Sequence, residues 1–396
     1  MGAVVDFRIA HCRLTDEGLE IGFEGLVRRT TFPWHWLRDN AEDDYTFNPA
    51  TGQRRIDSFS IPPHLAGIVE INDQCDEIRI SWSDNSQRSV YTSYRLAEAV
   101  AGTRMPEAPS AVTRQRPGSD RTRELWEGTP PMAACGFTPY VDVIGSDDVL
   151  LQWLDAIHRW GFACLEGVPS GKVAVVTLAN RIAYVRSTVF GGVWDLATDV
   201  TDHSDTAYTS GSLMPHTDGT YMNDAPGLQI FSCQRAADNG GESILVDGFS
   251  VADRIFGTDL EALEMLARVS VPGRYAEDGV DLRADRPALR FDHRGRLEQV
   301  SFNNFDRSDI LMAPQHYKSF INAYSAFNRL AMDQERWLGF AWEEGQLLAI
   351  DNWRLLHGRR RFTGNRHYVG CYINYDDFQS KRRVLRTERD RALGRV

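Results

Sequence analysis

The sequence predicts a mainly β protein, a barrel or sandwich of short strands with a few helices packed outside it. Short apolar segments bounded by Gly, Asp and Asn recur along the chain, while only a few stretches repeat apolar residues at the spacing of a helix face. Composition agrees: 42% hydrophobic and 25% charged residues are ordinary globular values, so the bulk of the chain is not disordered. At 396 residues the chain exceeds the usual ~100–200 residues of one domain, so one large or two medium domains are expected.

Residues 1–100 suggest a small N-terminal β domain, with Ile78–Trp82 as a strand and Asn48-Pro49, Thr51-Gly52 and Asp84-Asn85 as turns. Over residues 101–131 the composition shifts to Pro, Arg, Ser and Gly, which predicts a connection between domains. Residues 132–396 are denser in apolar residues. Ser146-Asp147-Asp148 should cap a helix carrying Leu150, Leu154 and Ile157 on one stripe, followed by a strand at 162–165. A second helix starts near Ser250, with Val251, Ile255 and Phe256. A third has Pro314 in its first turn and buries Tyr317, Phe320, Ile321, Tyr324, Phe327 and Ala331. Strands are expected at 228–233, 243–246, 299–302, 347–350 and 368–373, and no internal repeat is visible.

With 44 Lys+Arg against 55 Asp+Glu the net charge is −11, which argues against a general nucleic-acid or anionic-membrane binder. No apolar run approaches the ~18 residues of a membrane span. Charge rather than a signal core follows Met1, and the six cysteines form no CxxC pair. These features suggest a reduced, cytoplasmic enzyme.

The sharpest local signal is His216-Thr217-Asp218. On a strand, residues two apart share a face, so this imidazole and carboxylate can reach one ion. A second histidine, His357, closes the segment 350–357, expected to be a strand ending in a turn. Two histidines and a carboxylate form the facial triad of non-haem Fe(II), which leaves positions for a bidentate co-substrate and dioxygen. The bland alternative for His-x-Asp is a surface strand with polar residues outward. His35, His64, His158 and His293 are most simply core or surface residues. If the co-substrate is 2-oxoglutarate, its distal carboxylate needs a cation, best an arginine. Arg366 follows His357 by nine residues on the expected next strand, whereas Arg359, Arg360 and Arg361 suggest a solvated turn.

Several blocks resemble those of the γ-butyrobetaine and trimethyllysine hydroxylases, a branch of the Fe(II)/2-oxoglutarate-dependent dioxygenases. They are Trp36-Leu37-Arg38-Asp39-Asn40, Asp205-Thr206-Ala207-Tyr208-Thr209, His216-Thr217-Asp218, Gly240-Gly241-Glu242-Ser243 with Val246-Asp247-Gly248-Phe249, and Phe302-Asn303-Asn304. Asp351-Asn352-Trp353-Arg354-Leu355-Leu356-His357-Gly358-Arg359 and Phe362-Thr363-Gly364-Asn365-Arg366 complete the series. The resemblance implies a small N-terminal β domain followed by a double-stranded β-helix (jelly-roll) with helical insertions. It implies His216, Asp218 and His357 as iron ligands, and Arg366 with Ser243 on the distal carboxylate of 2-oxoglutarate. The carboxylate at position 218 separates the chain from related iron halogenases, which lack it.

The same resemblance implies an aromatic cage for a trimethylammonium group, which has no N–H to donate and is selected by ring faces and a nearby negative charge. Trp194, Tyr208 and Tyr372 match cage positions, with Phe190 where the family usually has Tyr. Asp205 resembles the trimethyllysine branch, and Asn303 matches a polar contact to the substrate or cage wall. The chain departs from the family at its N-terminal structural zinc: the matching positions are Ala41, Asp43, Thr46 and Ser86, a poor zinc set, so no structural zinc is expected. The reading is therefore a hydroxylase of trimethyllysine, γ-butyrobetaine or a related betaine, using Fe(II), 2-oxoglutarate and O₂. Rivals are the same chemistry on a trimethylammonio-alkylphosphonate, a non-catalytic small-molecule binding module on a decayed dioxygenase scaffold, and a zinc hydrolase on a cupin scaffold. The partner is a small quaternary-ammonium molecule, with neither nucleic acid nor membrane, and a homodimer is left open.

Overall fold

A computed structural model describes residues 7–24, 29–49, 53–62, 65–83, 88–101, 115–130, 136–197, 210–277 and 279–393. Its centre is a pair of sheets. The larger has six strands in the order Val193–Ala197, His367–Ile373, Leu228–Arg235, Leu347–Asp351, Phe162–Glu166, Phe137–Pro139, antiparallel except for the last pair. The smaller has four antiparallel strands in the order Leu213–His216, Leu355–Arg359, Ser243–Asp247, Leu338–Phe340.

Alternation along the strands explains why their apolar runs are nearly unbroken. Phe162, Cys164, Leu348 and Ile350 point inward and share a core with Leu245, Leu338 and Leu355 of the smaller sheet. Their neighbours Ala163, Leu165, Leu347 and Ala349 point outward, onto Leu150, Leu154, Ile157, Val175, Leu178 and Phe378 of the helices Asp147–Trp160, Lys172–Ile182 and Tyr375–Ala392. On the other side, Ile244, Val246 and Leu356 pack on the helices Gly248–Thr258, Leu260–Arg268 and Pro314–Ala331. Strands covered on both faces must be apolar at both parities.

The helix predicted from Ser146 begins at Asp147, with the Ser146 hydroxyl accepting the Val149 N–H, and stops at Gly161 with φ 88°. Asp247, three residues before the predicted start, caps the next helix by accepting the Phe249 and Ser250 N–H groups. The strand expected at 299–302 is Leu297–Val300, and residues 301–304 form a loop. Six α-helices among the described residues escaped the sequence reading: Trp34–Asp39, Ser93–Ala101, Tyr140–Gly145, Lys172–Ile182, Leu260–Arg268 and Tyr375–Ala392. Lys172–Ile182 starts from Gly171 with no side-chain cap, and Tyr375–Ala392 is so charged that only Phe378, Arg382 and Leu385 are buried. Leu260–Arg268 follows one residue after the preceding helix, so the two blur into one periodic stretch.

The N-terminal segment holds two three-stranded antiparallel sheets, Ile9–Thr15/Gly18–Phe23/Thr30–Pro33 and Gly67–Ile71/Glu77–Trp82/Ser89–Thr92. Its Leu19, Ile21, Phe32, Trp36 and Ile80 lie in one continuous core with Phe249, Phe320 and Phe327. The polar link is Asp39, fully buried, which accepts from Arg307 at 2.6 Å, from Arg54 at 3.3 Å, and from Ser58. Arg38 donates to Thr46 and lies beside the Tyr45 and Trp82 rings. Residues 115–130 pack on the sandwich through Arg116–Asp253 at 2.8 Å and buried Trp126. No helix among the described residues is long and apolar enough to cross a membrane.

Candidate active site

His216 and His357 face each other across the first two strands of the smaller sheet, their ring centroids 4.6 Å apart. The approach is allowed by Gly358, where any Cβ would run into the backbone of Leu213 and Met214. Two sequence expectations are corrected here. His357 sits inside the strand Leu355–Arg359, because the turn comes earlier, at Asn352–Arg354. The other strand ends at His216, so Asp218 is not on it.

Asp218 is set instead by the turn. The Asn352 side chain accepts the Asp218 N–H at 2.8 Å and donates to the Asp218 carbonyl at 3.1 Å. The carboxylate then reaches both imidazoles, with Oδ1 3.4 Å from His216 Nε2 and 3.6 Å from His357 Nε2. One donor atom from each of the three residues lies within 4.8 Å of the others, a cluster able to hold a metal ion.

The chemistry of the donors suits a cation. With the Met214 carbonyl 2.8 Å from His216 Nδ1, that nitrogen takes the proton and leaves Nε2 as the ligating lone pair. Burial opposes ionisation of Asp218, but the neighbouring histidines and a Tyr372 hydrogen bond outweigh it and hold the carboxyl well below its usual range. Burial pushes His357 down to about 4, so this imidazole is neutral and able to ligate. Burial alone would lower His216 too, yet its contact with Asp218 raises it.

Around the cluster lies a cavity between the two sheets, lined by Phe190, Trp194, Phe231, Ser243, Asn303, Arg359, Arg366, Tyr368 and Tyr372, among others. Arg366 is buried, immediately before the strand His367–Ile373, with its guanidinium 3.9 Å from the Tyr368 ring centroid. Arg359 is also buried, correcting its expected place in a solvated turn. It lies two residues beyond His357 on one strand and so shares its face, whereas Arg360 and Arg361 are exposed. Burial, then the adjacent Arg366, push Arg359 down to about 10, and burial also lowers Arg366. Two guanidiniums held together out of water favour an anionic ligand. Ser243 is paired with Arg359 across the sheet, and its hydroxyl accepts Trp342 Nε1–H at 2.8 Å, leaving its own proton to donate.

The expected aromatic wall is partly in place. Trp194 packs on Tyr372 at 5.6 Å and on Phe231 at 5.5 Å, and Phe190 packs edge-on against Tyr275 at 5.4 Å. Gly370 makes room for the indole, since a methyl there would overlap its ring. Asp205 and Tyr208 lie outside the described residues. Asn303 lines the cavity, its amide turned to Asp306 at 2.7 Å. Tyr372 does more than line the wall: its hydroxyl donates to Asp218 Oδ2 at 2.7 Å, beside the Gln229 amide at 2.6 Å. Sequence reasoning missed Gln229, although a lone amide inside Leu228-Gln229-Ile230 was a visible signal for a buried polar contact. It also missed Gln53 and Asp306, which no local spacing connects.

Residues 130–372 match the model of the taurine catabolism dioxygenase TauD, TfdA family. The chain is 32% identical over 401 residues to a trimethyllysine dioxygenase of Meyerozyma guilliermondii, covering 99% of each chain. It is 30% identical over 383 residues to the mitochondrial trimethyllysine dioxygenase of Homo sapiens, covering 93% of this chain and 86% of the relative. With a gamma-butyrobetaine dioxygenase of Pseudomonas sp. (strain AK-1) the identity is 29% over 359 residues, covering 89% and 90%. With a family match over more than half its length and a full-length relative above 30% identity, this chain belongs to the TauD, TfdA dioxygenase family.

Proposed function

We propose that this protein is an Fe(II)/2-oxoglutarate-dependent hydroxylase of a small trimethylammonium compound. The observation that carries the reading is the placement of three metal-binding donors in one cavity with two buried guanidiniums. The relatives add the substrate class, since those named above are dioxygenases of trimethyllysine and γ-butyrobetaine.

In this reading His216, Asp218 and His357 hold Fe(II), and Arg366, Arg359 and Ser243 receive the far carboxylate of 2-oxoglutarate. Bound iron supplies the oxidising chemistry, in which 2-oxoglutarate and O₂ are consumed and succinate and CO₂ are released as a C–H bond is hydroxylated. The chain's own task is positioning. Tyr372 and Gln229 occupy Oδ2 of Asp218 and turn Oδ1 toward the histidines. Phe231, Leu245 and Leu348 keep the cavity walls apolar and limit water around the reacting carbon. Trp194, Tyr372 and Phe190, with Tyr208 and Asp205, receive the ammonium end, each favourable ring contributing about 0.5–2 kcal/mol.

The two-sheet sandwich is taken as the family's double-stranded β-helix, with residues 1–100 as an added β domain, 101–131 as the connection and 132–396 as the dioxygenase domain. The reading includes a cytoplasmic location and no structural zinc. Ala41 is buried, Asp43 accepts from Thr46 N–H and the Ser89 hydroxyl, and the Thr46 hydroxyl accepts from Arg38, so the side chains of Asp43 and Thr46 are engaged otherwise; Ser86 lies outside the described residues. The functional test compares succinate formation with a trimethylammonium substrate and its uncharged tert-butyl analogue. The charged compound should win by at least ~10-fold in kcat/KM, about 1.4 kcal/mol, and equal rates would overturn the substrate class.

A further inference from the structure

We infer that Phe362 and Tyr368 are positioning residues for the co-substrate. Their ring faces hold the guanidiniums of Arg359 and Arg366 in place for the far carboxylate of 2-oxoglutarate. This rests on the 2-oxoglutarate reading above and deepens it. The Arg366 guanidinium lies 3.9 Å from the Tyr368 ring centroid and 5.5 Å from that of Phe362. Arg359 lies 4.9 Å from the same Phe362 ring, so one ring stands beside both cations. Both rings are buried. Two like charges repel, and the neighbouring Arg366 adds to the lowering of Arg359. A ring face attracts the cation through its quadrupole, while the N–H groups of a guanidinium lie in its plane. The ring therefore fixes a guanidinium without competing for the N–H groups that a carboxylate needs.

Each ring is fixed by its own strand. Tyr368 sits two residues beyond Arg366, near the start of the strand His367–Ile373, paired with Leu196 on one side and Cys233 on the other. Phe362 opens a two-residue strand against Asn239–Gly240, and its N–H donates to the Ser210 carbonyl at 3.2 Å. The two glycines of the Gly240-Gly241-Glu242-Ser243 block seat it. Both have positive φ, 72° and 79°. A Cβ at Gly240 would run into the Arg361 carbonyl, and one at Gly241 would come within 3.2 Å of the Phe362 Cβ. The block thus brings two things to one place: Ser243, opposite Arg359 across the sheet, and the ring beside the Arg359 guanidinium.

The test measures 2-oxoglutarate affinity by calorimetry under nitrogen on the Fe(II)-loaded enzyme, and kcat and KM by succinate release. A second ligand, 2-oxobutanoate, keeps the keto acid that faces the metal and lacks the far carboxylate. Phe362→Leu and Tyr368→Leu should each weaken 2-oxoglutarate by about 5- to 30-fold, the range of one desolvated cation–π contact. KM should rise with it, while kcat at saturation and 2-oxobutanoate affinity stay within about 2-fold. Tyr368→Phe keeps the ring and should stay within about 3-fold of wild type. In an Arg366→Lys background Tyr368→Leu should cost no more than about 3-fold, because the planar group that stacks on the ring is gone. Parallel loss of 2-oxoglutarate and 2-oxobutanoate would overturn the inference, since the rings would then serve the fold alone. So would an equal loss in Tyr368→Phe and Tyr368→Leu, or a loss undiminished beside Arg366→Lys. Should Phe362→Leu fail to fold, the Tyr368 variants decide. Ring variants that bind 2-oxoglutarate like wild type overturn the inference and leave the parent reading intact, whereas a wild type that does not bind it overturns both.

Discussion

Tyr372 and Arg359 show how much of the site depends on the direction of single side chains. The ring of Tyr372 faces Trp194 while its hydroxyl holds Asp218, so one residue joins the aromatic wall to the cluster of candidate metal donors. Arg359 is one of three consecutive arginines, and only strand alternation turns it inward beside Arg366 while its two successors face solvent. Arg366→Lys should raise the 2-oxoglutarate KM by at least ~10-fold, because an ammonium cannot reproduce the paired contact of a guanidinium. Arg359→Lys should raise it by a smaller factor, and Arg360→Ala and Arg361→Ala should leave it within about 2-fold. Titrating 2-oxoglutarate against succinate release in all four variants checks this, and an effect confined to Arg360 or Arg361 contradicts the assigned anion site.

At the scale of elements, the turn Asn352–Arg354 does more positioning than the strands it joins. Asn352 shapes the backbone of Asp218, and Arg354 anchors the turn from the other side. Arg354 is fully buried, pairs with Asp247 at 2.7 Å, and donates to the carbonyls of Glu124 and Arg159. Asp247 in turn caps the helix Gly248–Thr258, so one ion pair ties a helix start to the turn preceding His357. Removing one partner of such a pair leaves a buried charge uncompensated, and Arg354→Leu should cost about 3–5 kcal/mol of stability in urea denaturation. The motif around Arg354 was visible in the sequence as part of a family block. Its partners were not, since a local motif does not say which distant carboxylate it faces.

For the molecule as a whole, the N-terminal segment is a working part of the structure around the site. Its Gln53 lines the cavity and its Asp39 pairs with Arg307 of the loop that also carries Asn303 and Asp306. Burial alone would raise the Asp39 carboxyl, but Arg307 and Arg54 hold it well below the ordinary carboxylate range. A carboxyl whose folded value is depressed stabilises the fold above its unfolded pKa near ~4, and this contribution is lost as pH falls through that value toward the folded one. Unfolding free energy should therefore drop as pH falls below about 5, with a shallower drop in Asp39→Asn. Equal slopes in urea titrations of the two proteins between about pH 5 and 3 would show that Asp39 contributes no such linkage.

The sequence by itself determined the β architecture and picked out the candidate metal donors that the fold gathers. Strands buried on both faces must be apolar throughout, and a candidate metal-binding pair such as His216 and Asp218 is compact along the chain. His357 and Arg366 were legible for a related reason, since each lies in a short block whose residue types answer one chemical need. Tertiary structure alone decided which polar groups meet inside the protein. Gln53 reaches Asp306 across 253 residues, Asp39 reaches Arg307 across 268, and Asn352 reaches Asp218 across 134. A buried polar group must find a partner, but the nearest one in space is chosen by how the sheets, loops and N-terminal segment pack, and no spacing along the chain encodes that choice.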